Sequence, residues 1–268
     1  MKSITTLLKQ KIILLDGAMG TMLQKRGAVD NPVLYNITRP QLVQEIHKSF
    51  IASGSEVLYA NTFGCSKYQP EEYSLSEIIK AAIANAKSAA KQKALVAYDM
   101  GPSGKLLEPM GDLSFDEAYK IFKEQAELAQ NLGADFIVCE TFSDLREIKA
   151  AILAVKENTS LPLICTMTFE KNLRTFQGVP ISSAALTLEG LGADAIGLNC
   201  TLTSADMAPA VQELVKWTDL PLIIKPNLGM PRIDGSYDET PKQFAQNLAQ
   251  LINLGVSGIG GCCGTTPE

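Results

Sequence analysis

Cysteine and histidine usage sets the chemical options of this 268-residue chain. It has six cysteines, Cys65, Cys139, Cys165, Cys200, Cys262 and Cys263, and one histidine, His47. Histidine-rich metal sites are therefore excluded, and Ser-His or Cys-His nucleophilic machinery would have to rely on His47 alone. His47 falls in the helical stretch QLVQEIHKSF, away from every strand end, and reads as a packing residue. In a reducing compartment the cysteines stay thiols, so metal binding or catalysis explains them better than a disulfide framework. Cys262 and Cys263 are adjacent within GGCCG, and 61 residues separate Cys262 from Cys200 in GLNC. That is not a zinc-finger spacing. Only a fold that brings distant strands together could make these three cysteines one site.

A recurring phrase marks such strands. GSEVLYANT begins at Gly54, GADFIVCET at Gly133, GADAIGLNC at Gly192 and GVSGIGGCC at Gly255. Each reads as a glycine ending a helix, one or two small or acidic residues, then a short apolar strand. Glycine suits that place because it enters the left-handed region without a Cβ clash. Further apolar runs at 12–16, 95–100, 163–169 and 222–226 complete eight candidate strands, two of them launched by Pro162 and Pro221. Unbroken apolar runs are what parallel strands covered by helices require. Between them, 3.6-residue periodicity predicts helices over 40–53, 74–93, 114–131, 144–158, 182–191, 204–217 and 240–254. Ser114 with Glu117 has the capping-box pattern, and Thr203 or Ser204 is a candidate cap for the sixth of these helices. Eight strands alternating with helices predict an α/β fold, a (β/α)8 TIM barrel, with an open doubly wound sheet as the alternative. No helical pattern follows the eighth strand. The expected domain is thus a barrel over residues 1–268 that lacks its final helix. It is either a fragment or module of a longer chain, or a barrel whose open face another element covers.

In a barrel, chemistry projects from the C-terminal ends of the strands. The chain places Asp16, Gly17, Ala18 and Met19 after strand 1, Asn61 to Cys65 after strand 2, Asp99 at strand 3 and Glu140 at strand 4. Asn199 and Cys200 end strand 6, Lys225 to Asn227 end strand 7, and GGCCG ends strand 8. Neighbouring strands stand about 4.8 Å apart, so inward groups on strands 6 and 8 converge over strand 7. Alternation would send Cys262 and Cys263 to opposite faces unless the strand stops and turns there, as Gly260, Gly261 and Gly264 permit. Three thiolates with an open fourth position describe a catalytic zinc site rather than a structural one. Three small buried cysteines without metal are the alternative, and a vicinal disulfide would need a strained ring and an oxidising setting. Thiolate-rich sites favour soft partners, so a substrate thiol fits the open position. Zinc would deprotonate that thiol, leaving a nucleophile suited to alkyl transfer onto sulfur. Glu140 could hold a substrate ammonium, or form a salt bridge at the barrel mouth. The backbone of the Gly17–Gly20 loop could receive a carboxylate, or the loop is an ordinary tight turn. Cys139 alternates toward the helices, Cys165 is mid-strand core, and Cys65 has no assigned role.

The motifs LLDGAMGTMLQ at 14–24, ANTFG at 60–64, ETF at 140–142, GLNC at 197–200, KPNLGMP at 225–231, YDETP at 237–241 and GGCCGTTPE at 260–268 together resemble the homocysteine S-methyltransferase family. The resemblance covers nearly the whole chain, and its most specific part pairs the vicinal cysteines with the distant GLNC. DGAMGTMLQ with YDETP is similar to the homocysteine-binding module of cobalamin-dependent methionine synthase. Relatives that use S-methylmethionine or betaine tend to differ there. The resemblance implies a TIM barrel with Zn2+ held by Cys200, Cys262 and Cys263. It implies that Glu140 and Asp16, Gly17, Ala18 and Met19 hold the amino-acid head of homocysteine. It implies methyl transfer to the homocysteine thiol, giving methionine, from methylcobalamin on another module or protein. Cobalamin would then enter only through a partner, a corrinoid protein or folate- and cobalamin-binding modules. Asn227, which ends strand 7 between the ligand strands, is expected either as a fourth zinc ligand or as the residue that orients one. The sequence departs from the family after residue 268, where members continue into another helix and methionine synthases into further modules. An S-methylmethionine-dependent or other small-donor enzyme is therefore the alternative within the class. A non-catalytic zinc or corrinoid-partner binding module is the alternative outside it.

Composition narrows the rest. A net charge of −5 and a pI near 5.1 argue against nucleic acid as partner. No apolar run approaches the roughly 18 residues of a membrane span, and the N-terminus lacks the apolar core and cleavage site of a signal peptide. A cytoplasmic protein is expected.

Overall fold

The structure, a computed structural model, describes residues 2–28, 31–65, 72–229, 232, 237 and 239–268. Met230 and Pro231 of KPNLGMP and Asp238 of YDETP lie outside the described residues. Eight parallel strands form one sheet: β1 (Ile13–Leu14), β2 (Val57–Tyr59), β3 (Leu95–Met100), β4 (Phe136–Phe142), β5 (Leu163–Met167), β6 (Ala195–Thr203), β7 (Leu222–Asn227) and β8 (Val256–Ile259). Their order is β1-β8-β7-β6-β5-β4-β3-β2. A parallel bridge between Leu15 and Val57 joins the two ends, with the Glu56 N–H donating to Leu14 O (2.8 Å) and the Asp16 N–H to Val57 O (3.1 Å). The sheet therefore closes, as a (β/α)8 TIM barrel requires, and the open-sheet alternative falls.

Helices α2 (Met19–Lys25), α3 (Tyr35–Thr38) and α4 (Pro40–Ala52) connect β1 to β2. α5 (Leu75–Ala90), α6 (Phe115–Asn131), α7 (Leu145–Asn158), α8 (Ile181–Gly190), α9 (Ala208–Leu214) and α10 (Pro241–Ile252) follow β2 to β7 in turn. Gly54, Gly133, Gly192 and Gly255 sit at φ +102, +83, +90 and +98, the left-handed exits read from the recurring phrase. Ser114 and Glu117 close the capping box at α6, and Ser74/Glu77 and Thr240/Gln243 do the same at α5 and α10. α9 departs from expectation. It starts at Ala208, and neither Thr203 nor Ser204 caps it. Thr203 Oγ1 is engaged with Asp206, donating to Oδ2 (2.9 Å) and accepting from its N–H (3.2 Å), so a turn precedes the helix.

The sequence reading did not anticipate α1 (Ile4–Leu8). Its Ile4 and Leu8 join Ile13, Val57, Leu95, Phe136, Ile164 and Ile223 in the cluster that fills the barrel's interior, so α1 closes the N-terminal end. A second, larger cluster lies between strands and helices. Cys139 belongs to that outer layer, as alternation predicted, with its Sγ 3.7 Å from Met100 Sδ, and Cys165, read as mid-strand core, lies in the same layer. No helix follows β8 among the described residues. A groove of about 330 Å3, lined by Phe50, Phe244, Leu248, Ile252 and Ile259, runs there between α4 and α10.

Candidate active site

Strand alternation builds the mouth of the barrel. Ala97, Val138, Ile164 and Ile223 face its interior. Two residues further along the same inward rows stand Asp99, Glu140, Thr166 and Lys225, all buried. A polar layer therefore lies directly on an apolar one.

On one side of the mouth are the sulfurs. β6 loses its regular register between Asn199 and Thr203, and Cys200 and Thr201 adopt φ +59 and +49. Left-handed backbone is uncommon outside glycine and marks a strained, re-aimed side chain. β8 stops at Ile259, and the chain turns, held by the Gly261 N–H on Asp16 O (3.1 Å), the Cys262 N–H on Pro226 O (2.8 Å) and the Thr265 N–H on Cys262 O (3.1 Å). Gly264 at φ +89 completes the turn, and a Cβ there would stand 2.5 Å from Cζ of Tyr237. The Sγ atoms of Cys200, Cys262 and Cys263 consequently lie within 4.8 Å of one another. Sulfurs sharing one tetrahedral zinc at 2.3 Å stand about 3.8 Å apart, so the trio fits that ion. Asn227 donates from Nδ2 to Cys200 Sγ (3.5 Å), while its Oδ1 is buried without a hydrogen-bond partner. Thiol donation from Cys262 and Cys263 brings Cys200 far down, to about 2, and pushes its two donors up.

On the other side are the carboxylates. Lys225 is only 4% exposed, and its Nζ lies 3.3 Å from Asp16 Oδ1 and 3.9 Å from Glu140 Oε2. The same Nζ sits 3.5 Å from the centroid of the Tyr59 ring. Burial opposes the lysine's charge, but Asp16 and Glu140 outweigh it and hold its pKa above the usual value. Burial raises Asp16 and Glu140, and raises Asp99 further, with Glu140 adding to the effect. Glu140 therefore does meet a cation of the chain itself, the salt-bridge alternative recognised from sequence.

Asn199 ties the two sides together. Its Oδ1 accepts from the Thr141 N–H (2.8 Å) and from Thr166 Oγ1 (2.8 Å), and its Nδ2 donates to Thr141 Oγ1 (2.6 Å) and reaches Cys262 Sγ (3.9 Å). Thr141 is itself at φ +66, where β4 loses register next to Glu140. The loop after β1 is tied in through Ala18, whose N–H donates to Thr265 Oγ1 (3.2 Å).

One cleft of about 290 Å3 is lined by Gly17, Ala18, Met19, Asp99, Glu140, Lys225 and all three cysteines. Asp16 lies beneath it, bound to Lys225. The residues named from sequence are therefore gathered at one mouth, with Asn227 against Cys200. Sequence reasoning left Lys225, Asp99 and Asn199 without roles. Their signal was a polar residue at an inward position of an otherwise apolar strand. His47 is buried on α4 with neither ring nitrogen hydrogen-bonded, and burial lowers it to about 4. Cys65 is buried after β2, its thiol pushed up to about 12 mainly by burial.

A closed barrel carrying a three-thiol cluster at its C-terminal mouth defines the class of protein. Residues 13–268 match the homocysteine S-methyltransferase family, and the chain belongs to it. The chain is 31% identical to the methionine synthases of Mycobacterium leprae (strain TN) and Mycobacterium tuberculosis (strain ATCC 25618 / H37Rv), the alignments covering 97% of this chain and 24% of each relative. Among solved structures it is similar to the metallated form of the homocysteine methyltransferase MmuM from Escherichia coli. That match has a TM-score of 0.83 and 25% identity, covering 98% of this chain and 96% of that one. The carboxyl transferase domain of Rhizobium etli pyruvate carboxylase shares the fold alone, with a TM-score of 0.60 and 13% identity over 96% of this chain and 41% of that one. No helix among the described residues is long and apolar enough to cross a membrane.

Proposed function

We propose that this chain transfers a methyl group to the thiol of homocysteine, giving methionine, with zinc held by Cys200, Cys262 and Cys263. The observation that carries the reading is the sulfur trio, packed within 4.8 Å, in the same cleft as Glu140 and the first turn of α2. Thiol donors, an orphaned Asn227 Oδ1 and the family's metallated structural neighbour all suit a metal there. Bound zinc supplies the positive charge that keeps a substrate thiol as thiolate at neutral pH.

The chain's own residues then do the positioning. Cys200, re-aimed by its left-handed backbone, and the Cys262–Cys263 turn form the soft end of the cleft. Asn227 orients Cys200 through Nδ2, and its Oδ1 is the candidate fourth ligand before substrate arrives. Glu140 receives the substrate ammonium, with Gly17, Ala18 and Met19 forming the wall for the amino-acid head and Asp16 supporting it from beneath. No general base is required, in keeping with the single histidine lying outside the cleft. Three unpaired thiols suit a reducing, cytoplasmic setting.

The methyl donor is read as methylcobalamin carried on another module or protein, supported by the DGAMGTMLQ motif and by the likeness to methionine synthases, of which this chain spans 24%. The test is methionine formation from homocysteine with free methylcobalamin, a methylated corrinoid protein, or S-methylmethionine, alongside zinc per chain. One zinc and turnover with a corrinoid donor support the reading. Turnover only with S-methylmethionine moves the donor, and zinc without turnover on any donor favours a binding module. A zinc-edge spectrum showing only sulfur and water in substrate-free protein removes Asn227 as ligand.

A further inference from the structure

We propose that Asp99 is the second carboxylate of the ammonium seat, beside Glu140, and that Lys225 withdraws Asp16 from that role. This deepens the homocysteine reading and rests on it.

Both oxygens of Asp16 are already engaged. Oδ1 is 3.3 Å from Lys225 Nζ, and Oδ2 accepts from the Tyr59 N–H at 2.8 Å. Glu140 Oε2 is buried without a hydrogen-bond partner, its 3.9 Å approach to Lys225 being ion-pair range and beyond hydrogen-bond reach. Asp99 Oδ1 is likewise buried and without a partner. The backbone of Asp99 is held on both sides, its N–H donating to Thr62 Oγ1 (3.0 Å) and its carbonyl accepting from that hydroxyl (2.8 Å). Its carboxylate is thus fixed in place without being spent on fixing it. Asp99 and Glu140 both line the cleft that the cysteines share.

An unpaired buried carboxylate oxygen is costly, and two on residues that line one cleft are best explained by a donor that arrives with the ligand. The charge balance points the same way. Asp16, Asp99 and Glu140 share one buried cation, Lys225, and since burial and Glu140 both raise Asp99, a further cation is what lets that carboxyl ionise. Lys225 is committed to Asp16 and to the face of Tyr59, 3.5 Å from its centroid. A substrate ammonium brings one positive charge and three N–H donors, which suits the two orphaned oxygens. A ligand without an amino group leaves them unpaired, so the seat selects an amino acid over its des-amino analogue.

Calorimetric titration of the zinc-loaded protein with homocysteine and with 4-mercaptobutanoate tests this. Wild type should prefer homocysteine. Asp99→Asn should weaken homocysteine about tenfold or more and leave 4-mercaptobutanoate within about twofold. Asp16→Asn should change both ligands alike. Asp99→Ser gives the same reading should the Asn variant not fold. Equal loss of both ligands in the Asp99 variants, or loss of neither, overturns the assignment. So does a selective loss of homocysteine confined to Asp16→Asn. If wild type itself shows no preference for homocysteine, the homocysteine reading fails, an outcome distinct from failure of the Asp99 assignment.

Discussion

The lower and upper halves of the barrel interior come from the same strands and obey different rules. Below, Ile13, Leu95, Phe136, Ile164 and Ile223 pack against Ile4 and Leu8 of α1, and any well-fitting apolar volume would serve. Above, Asp16, Tyr59, Asp99, Glu140, Asn199 and Lys225 are equally buried, and each group depends on a particular partner or lacks one. The backbone follows the same division. Left-handed Thr141, Cys200 and Thr201 all lie at the upper end of their strands. A closed apolar floor is what allows a strained, charge-dense mouth to persist, because local strain survives only where the surroundings over-determine it.

The largest effect should come from the sulfur side. Cys200→Ser should lose bound zinc and reduce methionine formation by about 10³-fold or more, the equivalent of several kcal/mol of metal charge stabilisation. Its thermal midpoint should stay close to that of zinc-free wild type, since the thiol is half-buried and outside both apolar clusters. Metal analysis, turnover and a melting curve on one preparation check all three. A variant that keeps activity would remove the sulfur trio from the mechanism.

Lys225→Met should come next and act on folding. It leaves Asp16 and Glu140 buried without their cation, which typically costs about 3–5 kcal/mol in urea unfolding. Adding Asp16→Asn should recover part of that loss, because the second change removes the stranded charge. A cost below about 1 kcal/mol would mean that the mouth is not held by its charges, and the contrast with the floor would weaken.

A third test uses a buried polar group that belongs to neither region. His47 on α4 has no hydrogen-bond partner and titrates near 4 in the fold against 6.5 when unfolded. Above pH 6.5 it is neutral in both states and contributes no pH dependence. As pH falls from 6.5 to 4 the unfolded chain takes a proton the folded chain refuses, so stability drops, by about 3 kcal/mol at pH 4. The raised pKa values of Asp16, Asp99 and Glu140 act with the opposite sign, since the folded state gains their protons earlier on acidification. The wild-type curve mixes both, and the difference between wild type and His47→Gln isolates the imidazole. That difference should slope between pH 6.5 and 4, and a flat difference would show that His47 has a proton acceptor or donor in the fold.

The same division decides what was legible in the sequence. The strands and their glycine exits could be read because they follow local periodicity and single-residue backbone needs, as at Gly133 and Gly192. The sulfur trio could be read once a barrel was assumed, since the fold rule alone carries Cys200 across 61 residues to Cys262. The Lys225–Asp16 pair spans 209 residues, and nothing local indicates which carboxylate the lysine takes. α1, at five residues, is too short for periodicity to register, and its place is set by the hole it fills. Cys200's left-handed backbone, a feature of tertiary fit, has no local signature at all.

The smallest test probes whether the two halves are mechanically independent. Ile13 is fully buried on β1, paired in register with Gly258, and Asp16 at the mouth lies three residues further on. Ile13→Val removes one methylene from a floor that tolerates volume changes, at about 1 kcal/mol. The melting temperature should fall by about 2–4 °C while kcat/KM for homocysteine stays unchanged. Strands transmit strain when packing is tight, so this outcome is not automatic. If kcat/KM falls with stability, the floor sets the mouth's geometry through β1, and the two halves are one device rather than a support and a site.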